Sequence, residues 1–170
     1  MLGVMVVVAA GCASHSAQPS QRTDALRAKA LTALCEDINA AYGLRGNDPR
    51  VNLGPCGRFA RDFRERWNAR FPDKAHIIFV MSNDGTQCHH VLVRLPDGNC
   101  YDGGNGLMTE ARLLTIYPDS HVEDMIEFDL ALLNLRSYGL GRNYPECPNY
   151  SDALTRDLID RHLASIPRSR

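Results

Sequence analysis

The sequence predicts an α+β domain, and three observations carry that reading. Two helical stretches lead, short β-branched segments separated by Gly-containing turns follow, and helical periodicity returns toward the C-terminus. A chain of 170 residues suits one domain with a sizeable core.

The first predicted helix covers 24–42. Asp24 caps it, and Leu26, Ala30, Leu34 and Ile38 recur at helical spacing before Gly43. Gly46, Asn47, Pro49 and Gly54 break the chain into a loop. The second helix, about 56–70, sets Cys56, Phe59, Ala60, Phe63 and Trp67 on one stripe. Arg58, Arg61, Asp62, Arg64, Glu65 and Arg66 take the opposite, solvated face. An antiparallel meander comes next: His76–Ser82, a turn at Asn83-Asp84-Gly85-Thr86, Gln87–Leu95, a turn at Pro96-Asp97-Gly98-Asn99, then Cys100–Gly103. Gly103-Gly104-Asn105-Gly106 lets the backbone turn away. Thr109–Ile116 reads as a short helix, and Ser120-His121-Val122-Glu123 as a capping box opening a helix to about Tyr138. Gly139 to Asn149 is irregular, and Ser151 to about Ile166 is the last helix.

A net charge of -1, with arginines interleaved among acids, argues against a nucleic-acid partner. The chemistry-bearing residues fall in two segments. Gly54-Pro55-Cys56-Gly57 puts a thiol at a helix start, where the dipole and unpaired N–H groups favour a thiolate. His89-His90 enters a strand whose hairpin partner carries Asp102, so a base and its orienting acid lie on neighbouring strands. Adjacent strand residues face opposite ways, so only one of the two histidines faces Cys56. Face periodicity by itself would bury His89 with Val91, Val93 and Leu95. Asn52 is a candidate oxyanion donor or a loop hydrogen-bonder. Cys88, His89 and His90 diverge along a strand, and no second ligand cluster accompanies them, so neither metal nor cofactor is expected.

The order Cys, His, Asp on helix, strand and strand resembles that of papain-like cysteine hydrolases. The run from His90 to Asp102 is similar to the second catalytic segment of NlpC-type cell-wall endopeptidases. There a His opens a strand of alternating aliphatics, a Gly-containing turn follows, and a third polar residue comes twelve positions on. That residue is Asp here, where the family most often has His. The resemblance covers roughly Pro55 to Asp102, under a third of the chain. It implies a papain-like fold, with the Cys-bearing helix packed on the meander and helices closing the chain. It also implies Cys56 as nucleophile, His90 rather than His89 as base, Asp102 behind it, and acyl transfer from an amide.

The N-terminal Met1-Leu-Gly-Val-Met-Val-Val-Val-Ala-Ala-Gly-Cys12 is too short for a membrane span of about 20 residues. Ala9-Ala10-Gly11-Cys12 resembles a bacterial lipobox, which implies lipidation at Cys12 and a membrane anchor facing the periplasm, with secretion as the alternative. Residues 1–12 are then an export signal, 13–23 a polar tether and 24–170 the domain. Export makes disulfides available to Cys35, Cys88, Cys100 and Cys147. With a turn at Asp97-Gly98, Cys100 lies opposite Leu95, roughly 23 Å along the strand from Cys88, which is too far to bridge. Cys35–Cys147 is favoured, with four reduced buried thiols as the other state.

The expected activity is an exported cysteine hydrolase acting on a peptide or peptidoglycan-like amide. Two other readings stand beside it: a catalytically silent papain-like binding or scaffolding lipoprotein, and a transglutaminase-type acyltransferase or deamidase.

Overall fold

A computed structural model describes residues 19–45, 48–124, 147 and 149–168. The expected export signal, Cys12, most of the tether, the predicted helix beyond residue 124 and most of the irregular segment lie outside the described residues. The fold is α+β, and the described residues form four α-helices and a five-stranded antiparallel sheet. The helices are α1 (Pro19–Ala41), α2 (Cys56–Arg70), α3 (Glu110–Ile116) and α4 (Asp152–Ser165). The strands are β1 (His76–Ser82), β2 (Cys88–Arg94), β3 (Cys100–Asp102), β4 (Gly106–Met108) and β5 (Ser120–Asp124). Their order across the sheet is β4-β3-β2-β1-β5. A 3-10 turn, Pro49–Asn52, precedes α2. Among the described residues no helix is long and apolar enough to cross a membrane.

Alternation along the strands divides the core in two. Ile77, Phe79, Val91, Val93, Leu95 and Tyr101 face α1, α2 and α4. Ile78, Val80, Leu92 and Cys100 face α3 through Leu113. On α2 the predicted stripe is the buried one. Its aromatic rings run on to Phe71, with Phe63–Trp67 centroids 5.8 Å apart and Tyr101 of β3 4.8 Å from Phe63.

The opposite face of α2 departs from expectation, because α4 covers part of it. Asp62 is fully buried, paired through Oδ2 with Arg156 Nε at 2.8 Å and through Oδ1 with Arg61. It belongs to a ladder. Arg58 pairs with Asp152, Arg66 with Asp160, and Arg70 donates to the Ala164 and Ile166 carbonyls. Each rung advances four residues on both helices, so α2 and α4 run parallel with one turn per rung.

Three other expectations are corrected. α1 starts at Pro19, not Asp24. Proline fits a first helical position, and Asp24 lies inside the helix, 3.6 Å from Arg27. The supposed capping box is strand β5, paired from Ser82↔Ser120 to Ile78↔Asp124. The free edge of β1 needs hydrogen-bond partners, and that requirement overrides a local capping signal. Glu123 accepts from His121 (2.8 Å) rather than closing a box, and Ser120 Oγ has no partner.

The third correction is one of register. Arg94, not Leu95, lies opposite Cys100. Gly98 N donates to Leu95 O (2.9 Å), Leu95 N donates to Asn99 O (2.8 Å), and Gly98 has φ +84. This is a three-residue loop, Pro96-Asp97-Gly98, a type I turn closed by a left-handed glycine. The one-residue difference carries Asp102 onto the sheet face of Leu92 and His90.

The ladder yields an expected coupling. A double-mutant cycle on Asp62→Ala and Arg156→Ala should give an interaction of roughly 1–3 kcal/mol by chemical denaturation. The same cycle on the exposed Arg161–Asp157 pair should give under about 1 kcal/mol. Equal values would show that burial of Asp62 adds nothing.

Candidate functional site

Cys56, His90 and Asp102 meet where the sheet stops. β3 ends at Asp102 and the chain leaves through Gly103-Gly104, so His90, two residues before Leu92 on β2, pairs with β1 on one side and has no β3 residue on the other. The imidazole crosses this gap toward the start of α2. His90 Nε2 donates to Asp102 Oδ2 at 2.9 Å, and the ring shares a hydrogen bond with the Cys56 side chain. All three side chains are nearly sealed, with Cys56 3 %, His90 2 % and Asp102 1 % exposed.

Regular alternation from Leu92 puts His90 in the site, and a bulge just before it sets His89 aside. Val80 pairs with His90 and Met81 with Cys88, which leaves His89 as the extra residue. Bulges re-aim neighbouring side chains. Here the bulge leaves His89 half-buried while His90 makes both contacts.

Asp102 is the hub. Besides His90, Oδ1 accepts from Asn52 Nδ2 (2.9 Å), Gly104 N (2.9 Å) and Asn105 N, and Oδ2 accepts from Asn105 Nδ2 (3.0 Å). The carboxylate therefore shapes the β3–β4 turn and holds the imidazole together. Burial would raise its pKa, but the bond and charge of His90, with the Asn105 bonds, hold it below the usual carboxylate range. Asn52 thus spends its amide on Asp102. Gly104 is needed because a Cβ there would lie 2.5 Å from Asn52 Nδ2 and 2.8 Å from Asp48 O. Behind the turn, the buried Asn39 of α1 donates to the Cys35, Gly103 and Gly104 carbonyls and accepts from Asp48 N.

Burial alone would lower the His90 pKa, but the hydrogen bonds to Asp102 and Cys56, with their charges, push it up to about 10. The other cysteines sit differently. Burial, then the charge of Asp102, pushes the Cys35 thiol up to about 12; burial, then the nearness of Cys56, does the same for Cys88. Burial pushes Cys100 up to about 11 and raises Cys147. No disulfide joins the five described cysteines, so the favoured Cys35–Cys147 pair is not formed, and Cys35 Sγ instead donates to Gly104 O. Among the described residues no group of three or more His, Cys, Asp or Glu is placed to hold a metal.

The sequence reading missed Asn105, Asn39 and Tyr117, whose ring stacks on His90 with centroids 5.5 Å apart. Asn39 left a trace, being an amide next to Ile38 on the apolar side of α1. Asn105 read only as a turn former, and nothing local marks Tyr117. No family model, curated protein or solved structure matches this chain.

The raised His90 pKa sets a pH dependence. An imidazole held protonated in the fold but titrating near 6.5 when unfolded contributes stability in full below about pH 6.5, lost as pH rises through 10. The buried thiols, ordinarily titrating near 9, add their own loss above that. Stability should therefore fall between about pH 6.5 and 9 by up to about 1.4 kcal/mol per unit. A His90→Gln variant should be flatter there; the same slope in the variant would assign it elsewhere.

Proposed function

We propose that this protein is a cysteine hydrolase of papain-like type that cleaves an amide bond through Cys56, His90 and Asp102. The observation that carries the proposal is one imidazole bonded on one edge to a helix-start thiol and on the other to a buried carboxylate. Cys56, as thiolate, attacks the amide carbonyl carbon. His90 gives its proton to the departing nitrogen as the C–N bond breaks, leaving a thioester. Water then attacks, His90 takes a proton, the C–S bond breaks, and the acid leaves with thiolate and imidazolium restored. Asp102 keeps the ring in the orientation and protonation state this needs. Asn52, bound to Asp102, is a positioning residue. The oxyanion would be met by the N–H groups at the start of α2, which have no intrahelical partners.

Burial of the thiol and imidazole means that neighbouring groups move before a substrate reaches the sulfur. That same burial favours the second reading, a catalytically silent papain-like domain that binds or scaffolds in the envelope. A transglutaminase-type activity would differ only in using an amine to resolve the thioester.

Iodoacetamide near neutral pH separates these readings. Cys56 should be alkylated first of the described cysteines, Cys56→Ala should abolish activity with the fold intact, and Asp102→Asn should lose on the order of 10²–10⁴-fold. No preferential labelling of Cys56 would leave the silent reading standing, and incorporation of an added amine would indicate acyl transfer.

The envelope setting rests on the lipobox-like Ala9-Ala10-Gly11-Cys12, and the peptidoglycan-like substrate on the NlpC resemblance. Lipidation at Cys12 should put the protein in the membrane fraction of a bacterial cell. Cys12→Ser should release it without changing the melting of the domain. Identical mass and fractionation of the two would reject the anchor.

A further inference from the structure

We propose that Tyr117 is a positioning residue of this site, its ring holding the His90 imidazole in plane between Cys56 and Asp102 and shielding it on the α3 side; this rests on His90 being the base of the reaction proposed above. Both edges of the imidazole are committed, one to Asp102 of β3 and the other to Cys56 of α2. Those bonds restrain the ring edgewise and leave tilting about the line between them to be opposed by whatever lies on its faces. Tyr117 lies there, 5.5 Å between centroids and 19° from parallel.

The ring is fixed from its own side. Tyr117 caps α3, its N–H donating to Leu113 O at 3.1 Å, and its side chain packs on the cluster of Leu113, Leu92 and Val80. Two residues on, Asp119 adopts φ +61, and its carbonyl accepts from Asn83 N at 3.1 Å, which ties the segment to the β1–β2 turn. The sheet face that carries His90 is the face α3 covers, so the stack follows from topology rather than from a flexible loop.

The stack also has an electrostatic consequence. The charged or titratable groups bonded to the ring are Asp102 and Cys56, and Tyr117 adds the negative face of a π-system without a formal charge. An aromatic face favours a cation above it, so it favours imidazolium over imidazole. Removing it should lower the His90 titration midpoint by roughly half to one pH unit.

The test is an NMR titration of histidine-labelled full-length protein, with His90 assigned through His90→Gln. Tyr117→Phe should keep the wild-type midpoint and Tyr117→Leu should lower it. Tyr117→Trp, with a larger π face, should raise it. A Leu midpoint coinciding with wild type overturns the proposal, as does a Phe midpoint that falls, since the hydroxyl would then be acting. If the Leu variant does not fold, a Trp midpoint that falls or stays level overturns it equally. A purely structural role would move melting temperatures and leave the midpoints alone. The titration needs neither substrate nor a reactive thiol, so failure of the hydrolase reading would appear separately, as an inert Cys56.

Discussion

The buried carboxylate of Asp102 is the constraint on which the rest of the site depends. An ionised carboxylate taken out of water costs several kcal/mol unless its oxygens are satisfied. Here five donors converge on it: Asn52 from the 3-10 turn, the Gly104 and Asn105 backbone, the Asn105 amide and His90. Each donor fixes a piece of the fold. Asn52 pins the segment leading into Cys56, the two backbone N–H groups set the β3–β4 turn, and His90 orients toward the thiol. The close approach of Asn52 explains why residue 104 has no side chain. Asn39 then locks the outer side of the same turn to α1.

Around this hub the fold supplies rigidity from one long element. α2 presents an aromatic stripe to the sheet and an alternating charged face to α4. The stripe sets its depth and the ladder its rotation, so Cys56 at its first residue has little freedom to turn away. The Asp62 carboxylate, fully buried, is satisfied by Arg61 and Arg156. A polar ladder of this kind adds directional restraint where apolar packing alone would tolerate sliding. The arginines that look like a solvated face in one dimension are the contact surface between two helices in three.

The sheet contributes two irregularities that matter more than its regular pairs. The bulge at His89 and the glycine-closed loop at Gly98 each shift side-chain direction by one residue. The loop puts Asp102 on the sheet face that His90 already occupies, at the end where β3 stops. His90 keeps the face of Leu92 by plain alternation, while the bulge sends Cys88 to the opposite face with Val91 and Val93. Without the three-residue turn Asp102 would share the face of His89.

The sequence by itself determined much of this. Helical spacing marked α2, α3 and α4 to within a residue or two, because an apolar stripe and caps such as Ser151 are local signals. β-branched runs and Gly turns marked β1, β2 and β3 in the same way. Cys56, His90 and Asp102 were legible as a group from a helix start, a strand entry and a turn. Only the tertiary structure decided the rest. Ser120–Asp124 is a strand because β1 has an edge to satisfy, and Asp62 is buried because α4 lies over it. Asn52 serves the carboxylate, and Tyr117 covers the imidazole, because residues far apart in the chain arrive at one place. Local sequence encodes dihedral preference and periodicity. What lies opposite a side chain is settled by register and packing, which one segment alone does not contain.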